Sequence, residues 1–471
     1  MKRDAESNTP TAAIKLTKEQ KSTITVVIIT SLITTFTASA LNLSIPAIGE
    51  EFKAGASSIG WIINGFILAS AAMSVPFGRI ADLTGRKRIL VTGILIFSLC
   101  CGGIILTGSM ELFIALRIAQ GIGAAMIFAT NQAVLISAFP PQKRGKVLGY
   151  SIASTYTGLS AGPVVGGFLN HYLGWRSIFI LTFIISVIVF VIAAKKLPAS
   201  YTAGNGGQST DMTGIILYVG TIVSIMYGLS AYSTTDFAKY LIPAGIIIMV
   251  MFIYHELRIK SPIIKIRLFI KNTGYLLSNI SALLNYGATF AIGYLMSIYL
   301  QIIKGYDSQI SGIILISQPL IMALLSPYAG KLSDRISPFR LASFGMALCA
   351  LGLFSFTFVS EGYPLILIIA NLVVVGVGFA FFSSPNTNAV MACVEPMDYG
   401  VASSILATMR TLGQSTGMAV LSFIVAHQVG NVPIAEANVP LLINAMRISF
   451  IVFTALCILG VFFSLKRKED C

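Results

Sequence analysis

Two stretches decide how this chain is read: Gly78-Arg79-Ile80-Ala81-Asp82-Leu83-Thr84-Gly85-Arg86-Lys87-Arg88 and Gly330-Lys331-Leu332-Ser333-Asp334-Arg335-Ile336-Ser337-Pro338-Phe339-Arg340. A glycine, a base next to it, an aspartate and a closing arginine fall at the same offsets in both. Each stretch follows a long apolar run, so the chain carries an internal repeat, and its halves should form two bundles of equivalent design.

Working outward, the apolar runs are long enough to cross a membrane. About 20 residues of helix span a 30 Å hydrocarbon core. Such segments lie near 24–46, 58–78, 89–107, 111–138, 148–170 and 176–194, then 213–231 and 239–257. The last six are near 274–303, 310–330, 340–359, 363–391, 401–427 and 443–465. The quoted stretches follow the second and the tenth of these fourteen runs. A plain duplication of six would separate them by six, so the seventh and eighth runs are an insertion. The expected fold class is an all-α polytopic membrane protein of 6 + 2 + 6 helices. Its parts are a tail at 1–23, a six-helix bundle at 24–194, a linker with two inserted helices at 195–272, a second bundle at 273–465, and a tail at 466–471. Gly204, Gly206, Gly207, Gln208 and Ser209 mark the linker as flexible.

Composition agrees. The chain is 55% hydrophobic and 11% charged, against about 25% charged in an ordinary soluble domain; lipid must cover the remaining apolar surface. The formal charge of +14 could point to nucleic acid, but its distribution points elsewhere. Of the 32 basic residues, 25 fall in the tails and in the loops on their side. Lys53, Arg176, Lys239, Lys304 and Arg447 lie opposite, and Arg117 and Arg410 lie within apolar runs. The positive-inside rule then makes both tails cytoplasmic and the basic excess a topology signal. The polar first 21 residues lack a cleavage pattern and read as a tail. No nucleic-acid partner is expected, and no cofactor. The six cysteines show no metal-ligand spacing, and the five in apolar runs read as small core or lipid-facing residues rather than metal or disulfide sites.

Intramembrane charge is costly and tends to be functional. Arg117 shares a helix face with Gln120 and Gly121, and Arg410 one with Gly413 and Gln414. Arg117 faces either a cavity or, snorkelling, the outer surface. Candidate cavity-lining residues are Asn42, Asn64, Asn131, Gln132 and Tyr156 in the first half, and Asn285, Tyr286, Gln318 and Asn386 in the second; the alternative for each is a helix–helix contact. Gly78, Asp82, Arg86 and Arg88, with Gly330, Asp334 and Arg335, are candidates for a latch that breaks when the protein changes state, or else form connecting turns with solvated charges. Gly78 would allow close backbone approach or an unusual dihedral, and Asp82 would cap a helix start or pair with a base. Ser154, Gly158, Gly162 and Gly166 recur every fourth residue, a stripe that lets a neighbouring helix approach closely. Pro163 interrupts the helical hydrogen bonding beside it.

Four stretches together resemble the major facilitator superfamily, and with fourteen runs the nearest resemblance is to its fourteen-helix drug:H+ antiporter family. The first quoted stretch resembles the cytoplasmic signature, and Leu116-Arg117-Ile118-Ala119-Gln120-Gly121-Ile122-Gly123-Ala124-Ala125 the arginine motif of span 4. Gly158-Leu159-Ser160-Ala161-Gly162-Pro163-Val164-Val165-Gly166-Gly167 resembles the antiporter motif of span 5, and Leu41-Asn42-Leu43-Ser44-Ile45-Pro46 the end of the span 1 motif. The resemblance implies a plasma-membrane exporter of small amphiphiles working by alternating access and driven by protons; a monomer is expected because the repeat already supplies two bundles. It also implies that the span 5 motif seals the halves and sets export direction. The chain departs from the pattern at Thr37, where relatives that expel cations carry an aspartate. None of the 18 acidic residues sits at mid-membrane depth by sequence position; Glu256 falls at a cytoplasmic end and Asp211 in the linker. Neutral or anionic substrates are therefore expected over quaternary cations. Glu111, Asp82 or the substrate itself would have to carry the proton, or the protein is an uncoupled facilitator. Uptake of one metabolite is the alternative. An enzyme is disfavoured, since HExxH, a P-loop and a nucleophile–base pair are all missing, and a channel is disfavoured by the absence of a ring-forming repeat.

Overall fold

The computed structural model describes residues 17–139, 141–198, 211–231, 235–259, 262–264, 266–333, 335–394, 399–430 and 438–467. Among these the chain is helical, with no β-strand. A first set comprises α1 (Lys18–Phe52), α2 (Ala56–Thr84), α3 (Arg86–Leu106), α4 (Met110–Ser137), α5 (Pro141–Leu173) and α6 (Arg176–Lys196). The insertion is α7 (Met212–Ser230) and α8 (Ala238–Arg258), followed by a short α9 (Ile266–Lys271) that the hydropathy pattern does not reveal. A second set opens with α10 (Thr273–Phe290), α11 (Ile292–Ile298) and a π-turn (Tyr299–Ile303), then α12 (Ser308–Leu315) and α13 (Ser317–Ser333). It closes with α14 (Pro338–Phe356), α15 (Leu365–Ala392), α16 (Tyr399–Val429) and α17 (Val439–Leu465). The near end of the molecule is where α1 begins, and the far end is where it finishes.

Twelve helical segments are long and apolar enough to cross a membrane, counting Thr273–Ile303 and Ser308–Ser333 as one each. The expectation was fourteen. The remaining two candidates, α5 and α16, are helices of 33 and 31 residues, whose serine, threonine, glycine and basic content lowers their hydropathy. The protein is thus an all-helical, multi-pass membrane protein. α1, with 35 residues, is about 50 Å long at 1.5 Å per residue and extends beyond a hydrocarbon core. It starts with a capping box: Gln20 N–H donates to Thr17 Oγ1 (3.1 Å) and Thr17 N–H to Gln20 Oε1 (3.2 Å).

The repeat reappears as packing. In the first set α1 packs on α5 and α6, α4 on α2 and α3, and α3 on α6; in the second, α10 packs on α16 and α17, α15 on α13 and α14, and α14 on α17. The same pairings recur eight spans later. Glycine provides the closest ones. A Cβ at Gly158 would lie 2.5 Å from Leu32 O, and one at Gly166 2.5 Å from Ala40 Cβ, so the small-residue stripe seats α1 on α5. Its counterpart between α10 and α16 has Gly417 against Gly287 O (2.0 Å) and Gly413 against Leu283 O (2.3 Å).

Several sequence expectations need correction. Gly78–Thr84 is not a loop. It is the last part of α2, and the turn is Gly85 alone, at φ 110°, a backbone that glycine adopts without strain. Gly78 has neither a close approach nor a left-handed backbone; a Cβ there would meet only Ala129 Cβ at 3.9 Å. Asp82 sits in the last turn of α2, not at a helix start. Gly330 and Lys331 likewise belong to α13. Cys393 is disulfide-bonded, against the expectation of no disulfide; Cys100, Cys101, Cys349 and Cys457 are free and buried as expected.

The inserted pair fills a seam. α7 packs on both α2 and α16. Tyr218 Oη donates to Ala71 O of α2 (3.2 Å), and Thr416 Oγ1 of α16 contacts Met226 Sδ (3.7 Å). The α8 surface is largely exposed, with Ile247, Val250, Met251 and Tyr254 each more than half accessible, as befits a helix bathed in lipid.

Candidate functional site

The two sets meet most closely at the far end. Ser297 Oγ donates to Asn42 O (2.6 Å), Gln301 Nε2 to Leu43 O (3.2 Å) and Asn64 Nδ2 to Ser422 Oγ (2.8 Å). Ser308 Oγ donates to Gly167 O (3.1 Å), and a Cβ at Gly312 would lie 2.0 Å from Pro163 O. One face of α5 therefore holds α1 while Pro163 and Gly167 hold α12 of the other set.

Below this seal, at mid-depth, polar side chains from four helices converge. Tyr156 Oη of α5 lies 3.1 Å from Ser383 Oγ of α15, and Tyr286 Oη of α10 lies 3.0 Å from the same oxygen. Arg410 of α16 donates from Nη2 to Thr387 Oγ1 (2.7 Å), and its guanidinium stands 5.4 Å from the Tyr286 ring centroid. Phe379 meets Tyr286 edge-on at 5.1 Å. The Arg410 Nε is buried with no hydrogen-bond partner among the described residues. The arrangement presents aromatic faces, hydroxyls and one cation, with no carboxylate at any of these contacts. It suits a flat amphiphile with a neutral or negative polar group.

The sequence had singled out Tyr156, Tyr286 and Arg410, and the structure brings them together. It had missed Ser383 and Thr387, which lie one helical turn apart on a shared face; that spacing was the available signal.

The other candidates are dispersed. Arg117 is 2% exposed and neither snorkels nor reaches open space. Its Nε donates to Ile62 O (3.1 Å), its Nη1 to Gln120 Oε1, and its guanidinium lies 4.4 Å from the Phe66 ring centroid. Gln120 Nε2 in turn contacts Cys101 Sγ (2.9 Å). Asn131 joins α4 to α1 through Thr30 Oγ1 (2.9 Å) and Ser31 Oγ (3.3 Å). Asn386 is 2% exposed and bonds Ser278 O (3.2 Å) and Arg467 Nη1 (2.8 Å). Asn285 is fully buried beside Cys349, Gln318 is half-buried and Gln132 exposed. Thr37, at the position of the expected acid, is buried and lies 3.1 Å from Thr182 Oγ1.

Of the suggested latch, Asp334 and the Asp82 side chain lie outside the described residues. Arg86 Nη1 donates to Ser137 Oγ (2.8 Å), tying α3 to α4, while Arg88 and Arg335 are exposed. Two acids are buried. Asp211 is not a solvated linker residue but the buried N-cap of α7: it accepts from Gly214 N–H (2.9 Å) and lies 2.9 Å from His255 Nε2. Glu256 is 3% exposed and accepts from Ile264 N–H (2.9 Å). Both lie at the near end of α7 and α8, away from the mid-depth cluster.

The chain is similar to known proteins over most of its length. The chain is 28% identical to the riboflavin transporter RibZ of Clostridioides difficile, over 96% of this chain and 99% of that protein. It is 27% identical to the multidrug resistance protein Stp of Mycobacterium tuberculosis, over 82% of this chain and 72% of Stp. It is 25% identical to the tetracenomycin C resistance and export protein of Streptomyces glaucescens, over 84% of this chain and 74% of that one. A crystal structure of a bacterial homologue of the human lysosomal transporter Spinster, inward-facing and unoccupied, superposes with a TM-score of 0.67 at 13% identity, covering 95% of this chain and 96% of that one. The family model described as Major Facilitator Superfamily matches residues 27–258 and 278–470, and the chain belongs to that superfamily of membrane transporters.

Proposed function

We propose that this transporter exports small amphiphilic compounds across the plasma membrane by alternating access, with the Tyr156–Ser383–Tyr286–Arg410 cluster as its binding site. The observation that carries the reading is the position of this cluster: it lies between the two sets, just beneath the far-end contacts, and takes groups from both. A substrate held there bridges the sets, and rocking one against the other exposes it first to one end and then to the other. In this reading α5 and α16 are also spans, which makes fourteen, and the near end with both tails is cytoplasmic. The far-end seal through Pro163, Gly167, Ser308 and Gly312 closes the outer side. The protein works as a monomer, since the repeat supplies both moving bodies. With Arg410 as the one charge in the cluster, neutral and anionic substrates are favoured over quaternary cations. The proton gradient drives export, with the substrate's own ionisable group or a carboxylate outside the cluster carrying the proton; Arg117, enclosed within the first set, contributes positive potential rather than direct contact in this state.

The similarity to multidrug and tetracenomycin exporters supports export. The full-length similarity to RibZ favours a second reading, transport of one flat, uncharged metabolite through the same cluster. Both are tested in inverted membrane vesicles with a panel of neutral, anionic and cationic amphiphiles, including riboflavin. Export predicts gradient-dependent accumulation of several neutral or anionic compounds, abolished by an uncoupler. Accumulation confined to riboflavin supports the second reading, and accumulation of quaternary cations alone rejects both.

A further inference from the structure

A second polar site lies at the near end. A cavity of about 380 Å³ opens between the start of α14 and the end of α17, lined by Phe339, Arg340, Ser343, Ser464, Leu465 and Arg467. Arg467 is only 6% exposed. Its Nη1 donates to Asn386 Oδ1 (2.8 Å), and its guanidinium lies 6.0 Å from the Phe339 ring centroid. Its Nε and Nη2 have no hydrogen-bond partner among the described residues. Burial pulls this guanidinium below the usual arginine range. A buried cation without an anion is costly, by several kcal/mol, and the two idle nitrogens form one edge of the fork that grips phosphate or carboxylate in a bidentate fashion.

The rest of the cavity is suited to an anion as well. Arg340 adds a second cation at its wall, and the first turn of the 19-residue α14 adds the positive end of a helix dipole. Ser343 and Ser464, with hydroxyl oxygens 2.6 Å apart, form a polar floor. Among the described residues no acidic residue lines it. A carboxylate would satisfy the fork alone, whereas a phosphate has oxygens enough for both arginines. We propose that this cavity binds a phosphate group, gripped by Arg467 and Arg340, from either the headgroup of an anionic phospholipid or a soluble phosphate. Asn386 connects the site to α15, the helix that carries Ser383 and Thr387, so occupancy there would steady the second set of helices at its near end.

The competing anions within the chain are Glu469 and Asp470, just beyond Arg467 in sequence. The test is native mass spectrometry of the full-length, delipidated protein with phosphatidylglycerol, phosphatidylcholine or inorganic phosphate added separately. Wild type should retain phosphatidylglycerol over phosphatidylcholine, and Arg467→Gln should weaken this roughly tenfold or more, the scale of a lost charge-assisted hydrogen bond. Arg340→Gln serves the same end if Arg467→Gln does not fold. Displacement of the lipid by inorganic phosphate would identify a soluble source, and retention of the lipid in its presence a membrane source; either supports the site. Equal retention of both lipids with no bound phosphate, or undiminished binding by the arginine variants, overturns it. So does phosphatidylglycerol binding that appears only in Glu469→Gln/Asp470→Asn, since the tail would then fill the cavity.

Discussion

Replacing Gly312 by alanine tests the far-end seal. The new Cβ would lie 2.0 Å from Pro163 O, more than an ångström inside ordinary contact, and the obstacle is backbone that no rotamer change relieves. The sets must part at that point. Overpacking of this kind costs about 1–3 kcal/mol; here the cost falls on the far-closed state alone, since the contact exists only while α5 and α12 touch. A bias of that size shifts the balance between states about 5- to 150-fold toward the far-open form. The assay is thiol labelling from the far side of Gln309→Cys, next to the contact, in a background stripped of native cysteines. Gly312→Ala should accelerate labelling, and transport should fall because the closed state is underpopulated. Gly166→Ala is the control. Its Cβ would sit 2.5 Å from Ala40 Cβ, a comparable clash but within one set, so it should lower the melting temperature without changing access at residue 309. Wild-type labelling in Gly312→Ala, or equal acceleration in both variants, would refute the reasoning.

Tyr286→Phe and Tyr156→Phe each remove one hydroxyl contact to Ser383 while keeping the ring; at about 0.5–1.5 kcal/mol per hydrogen bond, KM for transport should rise about 2- to 10-fold with the fold intact. Arg117→Met removes the donor to the buried Gln120 Oε1, and a buried acceptor left unpaired costs about 1–3 kcal/mol, so the melting temperature should fall; an unchanged or higher melting temperature would mean that these bonds do not hold α4 in place. Asp211→Ala removes the cap on α7 and the His255 contact and should destabilise by about 0.5–2 kcal/mol in thermal unfolding. Asp211→Asn keeps an acceptor for Gly214 and should lose less.

The sequence made some of this structure legible and hid the rest for a physical reason. Apolar runs report where a segment lies along the membrane normal, so the repeat, the insertion and most helices could be located within a few residues. The four-residue glycine stripe also reports a direction, and it correctly marked the face of α5 that seats α1. Isolated polar residues report depth but not azimuth. Asn42 and Asn64 turned out to lie near the contacts between the sets, whereas Asn131 and Asn386 bond within their own set. Arg117 looked like a residue for either cavity or surface, and instead lies between α2 and α4 against Ile62 O and Phe66. Asp211 looked like a linker acid because its partner, His255, comes from the far side of a helical hairpin. Backbone continuity was equally hidden: the charged Gly78–Thr84 stretch reads as a loop, yet helical hydrogen bonding carries on until Gly85.

The placement of α7 has a consequence for how solutes arrive. Two paired bundles leave two lateral clefts through which a molecule dissolved in lipid can slip sideways. Here the α2–α16 cleft is shuttered by the extra hairpin, while among the described residues no additional helix covers the α5–α12 cleft. Under the proposed function, a cargo drawn from the bilayer would enter through the α5–α12 cleft. In the proposed rocking motion the shutter would travel with one bundle, making the swing lopsided in a molecule otherwise built on duplication.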